Sequence, residues 1–145
     1  MENIHATSVD MNGSGILIIG PSSSGKSDLA LRLIENKGAV LVADDRTDLL
    51  KKDGQLIASC PKNIEGLLEV RGIGIVHQVF KNETCVKLVV WASGDKKTER
   101  YPTRKYFENQ GVKVEGVELN LLEASAVDKV VVKLKSILEE EKQKT

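Results

Sequence analysis

Four apolar residues, Ile16-Leu17-Ile18-Ile19, run directly into Gly20-Pro21-Ser22-Ser23-Ser24-Gly25-Lys26-Ser27, and an apolar-periodic segment follows. That is strand, G-x-x-x-x-G-K-S and helix in the order that a phosphate-binding P-loop requires. Few architectures accommodate it, because a sheet strand must deliver the loop and a helix must leave it.

The spacing has a physical reason. Two glycines let the backbone wrap an oxyanion without side-chain obstruction, and the residues between them make a loop of about phosphate size whose amides point inward. Gly20, Pro21, Ser22, Ser23, Ser24, Gly25, Lys26 and Ser27 form the candidate nucleotide-binding loop. Lys26 is placed to reach the β and γ phosphates, Ser27 offers a hydroxyl to a bridging Mg²⁺, and the positive end of the following helix adds attraction. An ordinary Gly/Ser-rich turn does not require Gly-Lys-Ser at the helix start.

Before this loop, residues 3–11 alternate loosely into Asn12-Gly13, a hairpin dipeptide, which predicts a hairpin whose second arm is the P-loop strand. His5 then falls opposite the end of that arm, near Gly20. A histidine there fits a surface or satisfied core residue as well as a catalytic one. After the loop, Leu29, Ala30, Leu33 and Ile34 mark one face of a helix that Gly38 stops.

The run Ala39 to Ala43 reads as a central parallel strand buried on both faces, laid beside the P-loop strand by a right-handed crossover. Asp44 and Asp45 at its carboxyl end then land where ligands bind in open α/β sheets. Adjacent strand carboxylates point to opposite faces, so one is free to face the γ-phosphate; a capping pair without chemistry is the other reading.

Thr47–Leu50 and Gln55–Ser59 flank a turn at Asp53-Gly54. In the stretch from Gly66 to Val76, Glu69 and Arg71 are two apart and share a face if the strand is continuous. A pair projecting into a cleft and a salt-bridged surface strand explain them equally. Thr84 to Trp91 is a β-branched strand, and Val112 to Leu119 alternates as another. Between them Lys96, Lys97, Arg100, Arg104 and Lys105 form a basic segment, readable as a solvated loop or as a docking surface with an arginine that closes over phosphate. From Ser125, read as a cap with Asp128 three later, an apolar stripe of Val127, Val130, Val131, Leu134, Ile137 and Leu138 predicts a last helix with a fraying end from Glu139 to Thr145.

The 145 residues suit one domain, 1–145, with an aliphatic core, since aromatics make up 3%. Lys+Arg 21 against Asp+Glu 21 removes a global electrostatic case for nucleic acid or an anionic membrane. Cys60 and Cys85 lack metal or disulfide spacing, and no stretch resembles a leader or membrane span, so a cytoplasmic protein is expected.

Together the P-loop Gly20 to Ser27, Ala43-Asp44-Asp45, Leu68-Glu69-Val70-Arg71-Gly72-Ile73-Gly74-Ile75, and His5 fifteen positions before the loop resemble the catalytic domain of HPr kinase/phosphorylase. The resemblance covers most of residues 3 to 119. It implies an α/β fold: a P-loop core similar to the phosphoenolpyruvate carboxykinase-like kinase domain, a mixed sheet, a P-loop helix and a C-terminal helix. The implied activity is an ATP- and Mg²⁺-dependent protein-serine kinase acting on an HPr-like phosphocarrier. Carried over by position, the resemblance implies that Lys26 and the loop amides hold phosphates, that Ser27 and Glu69 hold Mg²⁺, and that Asp45 takes the substrate proton. His5 and Arg100 match the remaining catalytic His and Arg, with Asp44 and Arg71 in supporting roles.

Two departures accompany it. Longer members carry an N-terminal domain, and this chain is expected to be a truncated form that starts at the catalytic domain. The family's Arg-Pro-Gly-Arg-Asn segment, linked to dephosphorylation, is replaced by Asn120-Leu121-Leu122-Glu123-Ala124, which favours the kinase half. The resembled family assembles as hexamers. The alternatives are a small-molecule P-loop kinase and a nucleotide-sensing regulatory module.

Overall fold

The computed structural model describes residues 1–144. Eleven strands and two helices follow in order: β1 (Glu2–Ile4), β2 (Ala6–Met11), β3 (Ser14–Ile19), α1 (Lys26–Lys37), β4 (Val40–Ala43), β5 (Thr47–Lys52), β6 (Gln55–Ser59), β7 (Leu67–Val70), β8 (Gly74–His77), β9 (Glu83–Ala92), β10 (Lys105–Asn109), β11 (Val112–Leu119) and α2 (Ala126–Gln143). Nine strands form one mixed sheet, in the order β1-β5-β6-β9-β3-β2-β4, with β11 also on β9 and β10 on β11. The hairpin β7–β8 stands as a separate two-stranded sheet.

The alternation of β3 divides the core. Ile16 and Ile18 face the helices, packing with Leu29 and Leu33 of α1 and Val130 and Leu134 of α2. Leu17 faces the other way, into a second cluster with Leu49, Leu56, Val89 and Val114 where the sheet curls over itself. Gly116 on β11 leaves room for the Trp91 ring of β9: a Cβ there would lie 2.4 Å from it.

Strand polarity positions the site. β3 pairs parallel to β9, and β9 parallel to β11. β2 is antiparallel to both β3 and β4, so β4 runs in the same direction as β3. The carboxyl ends of β3, β4, β9 and β11 therefore open on one edge of the sheet, the edge where α/β folds bind ligands. The P-loop, Asp44-Asp45, the basic segment and Asn120–Ser125 all leave from it.

Several expectations are corrected here. The Asp-bearing strand does not lie beside the P-loop strand. The tight Asn12-Gly13 hairpin keeps β2 paired with β3 along its whole length, and β4 adds to the far side of β2. β4 is thus not a central parallel strand, although Leu41, Val42 and Ala43 are buried.

Glu69 and Arg71 do not share a strand face. β7 ends at Val70, and Gly72 and Gly74, with φ of 86° and 116°, turn the chain back into β8. Lys105 begins a strand instead of closing a basic loop, because Gln110-Gly111 supplies a turn that pairs β10 with β11. Ser125 makes no side-chain cap, and α2 continues to Gln143, its end held by Arg104–Glu140 and Lys87–Glu141 contacts. Thr145, placed in the fraying end, lies outside the described residues.

Candidate active site

The loop between β3 and α1 closes on itself. Ser24 N–H donates to the Pro21 carbonyl at 3.2 Å, and Ser23 and Gly25 take φ of 66° and 100°. A Cβ on Gly20 would lie 2.7 Å from both the Ala92 Cβ and the Ser24 Oγ, so only glycine fits where the strand enters the loop. Lys26 is 6% exposed and donates from Nζ to the carbonyls of Gly20 at 2.8 Å and Pro21 at 3.0 Å. Burial pulls its pKa below the usual lysine value, with Asp45 and Asp44 pulling the other way.

Asp44 is the hub. Its Oδ1 accepts from Ser27 Oγ at 2.6 Å and from Thr7 Oγ1 at 3.0 Å, and its Oδ2 accepts from the Glu69 amide at 3.0 Å. Because the Ser27 proton is donated to Asp44, the hydroxyl keeps its lone pairs as acceptors. Asp45 follows in the left-handed region at φ 68°, a conformation that Asp tolerates better than most residues. This turn sends its carboxylate away from Asp44, and Asp45 Oδ1 lies 2.5 Å from His5 Nε2. The pair sits at the rim, with side-chain exposures of 35% for His5 and 65% for Asp45.

His5, the loop from Gly20 to Ser27, Asp44 and Asp45 are thus brought together. Ala6 pairs with Ile19, which sets His5 at the mouth of the loop. Arg71 joins from the β7–β8 hairpin, donating from Nη2 to Ser23 Oγ at 2.8 Å. Glu69 reaches the cluster through its backbone amide, while its side chain is exposed. Arg100 is exposed on the segment after β9 and lines a cavity of about 390 Å³ with Lys129 and Lys133 of α2, away from the Asp45–His5 pair.

One loop residue already in the candidate set, and one residue that sequence reading misses, complete the cluster. Ser24 Oγ is buried with no hydrogen-bond partner among the described residues. Thr7, fully buried, bridges both aspartates; its only sequence signal is a polar residue inside an otherwise buried strand.

These features fit a nucleotide phosphate with Mg²⁺. The orphaned Ser24 hydroxyl is a donor waiting for an acceptor, and a buried polar atom of this kind calls for a partner. Ser27 and Asp44 present hard oxygens of the sort Mg²⁺ prefers alongside phosphate oxygens and water. Among the described residues no group of three His, Cys, Asp or Glu is placed to hold a metal unaided.

The model of the HPr Serine kinase C-terminal domain matches residues 1–143. The HPr kinase/phosphorylase of Clostridium botulinum (strain Eklund 17B) is 52% identical over 73 residues, covering 50% of this chain and 24% of that protein. That of Lactobacillus johnsonii is 36% identical over 122 residues, covering 74% of this chain and 38% of that protein. The chain thus spans well under half the length of these relatives. Among solved structures, the Hpr(Ser) kinase/phosphatase from Coxiella burnetii superposes with a TM-score of 0.77 at 28% identity, covering 93% of this chain and 99% of that one.

Proposed function

The chain belongs to the HPr serine kinase C-terminal-domain family, and on that premise we propose that it is an ATP- and Mg²⁺-dependent protein-serine kinase whose substrate is a serine of an HPr-like phosphocarrier. The observation that carries this reading is the divergence of the two aspartates: Asp44 faces Ser27 of the phosphate loop, while Asp45 faces the rim beside His5.

The roles follow from these positions. Lys26 exchanges its two carbonyl partners for phosphate oxygens, and Ser24 Oγ donates to a third. Ser27 and Asp44 would hold Mg²⁺, with Glu69 of the β7–β8 hairpin as a further carboxylate. When bound there, such an ion would supply positive charge to offset the charge that builds on the phosphates. Asp45 accepts the proton as the serine oxygen bonds to the γ-phosphorus and the bond to the ADP oxygen breaks, the electron pair leaving with ADP. His5, at 2.5 Å, orients Asp45. Arg100 is assigned to charge stabilisation when its segment folds over the bound substrate.

Arg32 donates to the carbonyls of Leu121 and Glu123, fixing Asn120–Ser125 against α1. A Cβ on Gly25 would meet Leu122 at 2.8 Å, so the side chain that this segment lays against the loop is apolar. The forward reaction is therefore the one assigned, with little phosphorolysis. Cytoplasmic location and self-assembly, as hexamers in the resembled family, belong to the same reading; no helix among the described residues is long and apolar enough to cross a membrane.

The deciding experiment incubates the chain with ATP, Mg²⁺ and an HPr-type protein and reads added phosphate on serine by mass spectrometry. Asp45→Ala is expected to retain ATP binding and to lose transfer by ~10²-fold or more. A chain that binds ATP yet adds no phosphate at saturating substrate favours the nucleotide-sensing alternative.

A further inference from the structure

Thr7 has no place in the reaction as described, yet its hydroxyl touches both aspartates, the carboxylate of Asp44 and the backbone amide of Asp45. It is the second residue of β2, fully buried, with Ile18 of the P-loop strand as its partner across the β2–β3 pair. Its Oγ1 lies 3.0 Å from Asp44 Oδ1 and 3.2 Å from the backbone N of Asp45. A threonine hydroxyl has one proton and two lone pairs. The carboxylate of Asp44 only accepts and the amide of Asp45 only donates, so both directions of the hydroxyl are assigned: proton to Asp44, lone pair to Asp45.

The rest of the turn leans on the same strand. Arg46 N–H donates to the Asp44 carbonyl at 2.7 Å, and Thr47 Oγ1 donates to the Ala6 carbonyl at 2.9 Å. Between these two bonds Asp45 takes its left-handed φ of 68°. The Thr7 hydroxyl is the hydrogen-bond partner of its amide.

We propose that Thr7 is a positioning residue for phosphoryl transfer: one hydroxyl holds Asp44 toward Ser27 and pins the backbone of Asp45 so that its carboxylate meets His5. The inference rests on the kinase reading above. A threonine that only satisfied a buried gap would affect stability; one that positions the base changes turnover more than nucleotide affinity.

The test is Thr7→Val, which replaces the hydroxyl by a methyl of similar shape. It is expected to lower kcat for phosphate transfer by roughly 10–100-fold, the usual loss when an outer hydrogen-bond partner of a site is removed, with the KM for ATP near wild type. Thr7→Ser restores most of the rate. In ligand-free protein, exchange of the Asp45 amide, read by NMR, accelerates in Thr7→Val and not in Thr7→Ser.

Wild-type kcat in Thr7→Val overturns the inference, as does a KM that rises in step with the fall in kcat, or absence of rescue by serine. If Thr7→Val is insoluble, Thr7→Cys keeps the size and weakens both bonds; an intermediate kcat supports the proposal and a wild-type kcat overturns it. The amide reading separates the two levels of argument. Failure of the wild-type chain to phosphorylate HPr sinks the kinase reading alone, whereas unchanged Asp45 exchange in Thr7→Val sinks the role of Thr7 whatever the activity.

Discussion

At the scale of single residues, the buried carboxylates are set apart by who donates to them. Asp44 takes two hydroxyls and an amide and faces the loop, while Asp10, at the other end of β2, serves the fold. Burial alone would raise the pKa of Asp10. The Thr84 hydroxyl at 2.6 Å, the Gly13 amide at 2.9 Å and Lys81 at 3.2 Å outweigh it and hold the group below its ordinary value. A lowered folded-state pKa means that Asp10 contributes stability above the unfolded value of about 3.9. The contribution is lost as pH falls through the folded value. Asp10→Asn is expected to cost about 1–3 kcal/mol at neutral pH by leaving donors poorly matched. It also flattens the acid limb of stability measured by urea titration at several pH values. The aspartate pair was visible in the sequence as two adjacent acids after an apolar run. Which acid served the phosphate loop was not, because that depends on a left-handed residue at position 45 and on Thr7, thirty-eight positions earlier.

At the scale of elements, the β7–β8 hairpin is the unit that connects the loop to the exterior. Leu68 is its buried anchor, the Glu69 amide reaches Asp44, and Arg71 reaches Ser23, while Ile73 and Ile75 are exposed. Arg71→Ala tests which way this arm acts. If the guanidinium passes from Ser23 to a phosphate, loss of a charged hydrogen bond worth about 1.5–3 kcal/mol raises the nucleotide Kd by ~10–100-fold. A lower Kd, measured by calorimetry, would make Arg71 a latch on the empty loop. The strand–loop–helix unit, the Asn12-Gly13 hairpin and the last helix were legible because each carries its own local signal of periodicity or turn chemistry. The turn between Glu69 and Arg71 is not legible, because strand alternation and a glycine-spaced hairpin give the same residue pattern over five positions. Strand order was illegible for a different reason. Nothing local in Val40–Ala43 distinguishes a neighbour of β3 from a neighbour of β2.

At the scale of the whole molecule, two kinds of sheet coexist. β3 and β9 lie at the centre of the large sheet with both faces covered, whereas β7–β8 stands apart with most of its side chains exposed. Hydrogen exchange should follow that division: amides of β3 and β9 exchange only with global unfolding, and those of β8 exchange through local opening, orders of magnitude faster. Equal protection in the two would mean that the hairpin and the main sheet open together. Such a division places a movable arm against a fixed floor. The floor itself is not idle before nucleotide arrives, since the Lys26 ammonium already rests on the carbonyls of Gly20 and Pro21. Under the proposed function, binding would swap one set of partners for another, and the net gain would be smaller than the phosphate contacts alone suggest. Under the proposed function the same swap would run backwards on the way out: as spent nucleotide departs, the loop's own carbonyls would receive the lysine, which would shorten product residence and favour repeated turnover over tight retention.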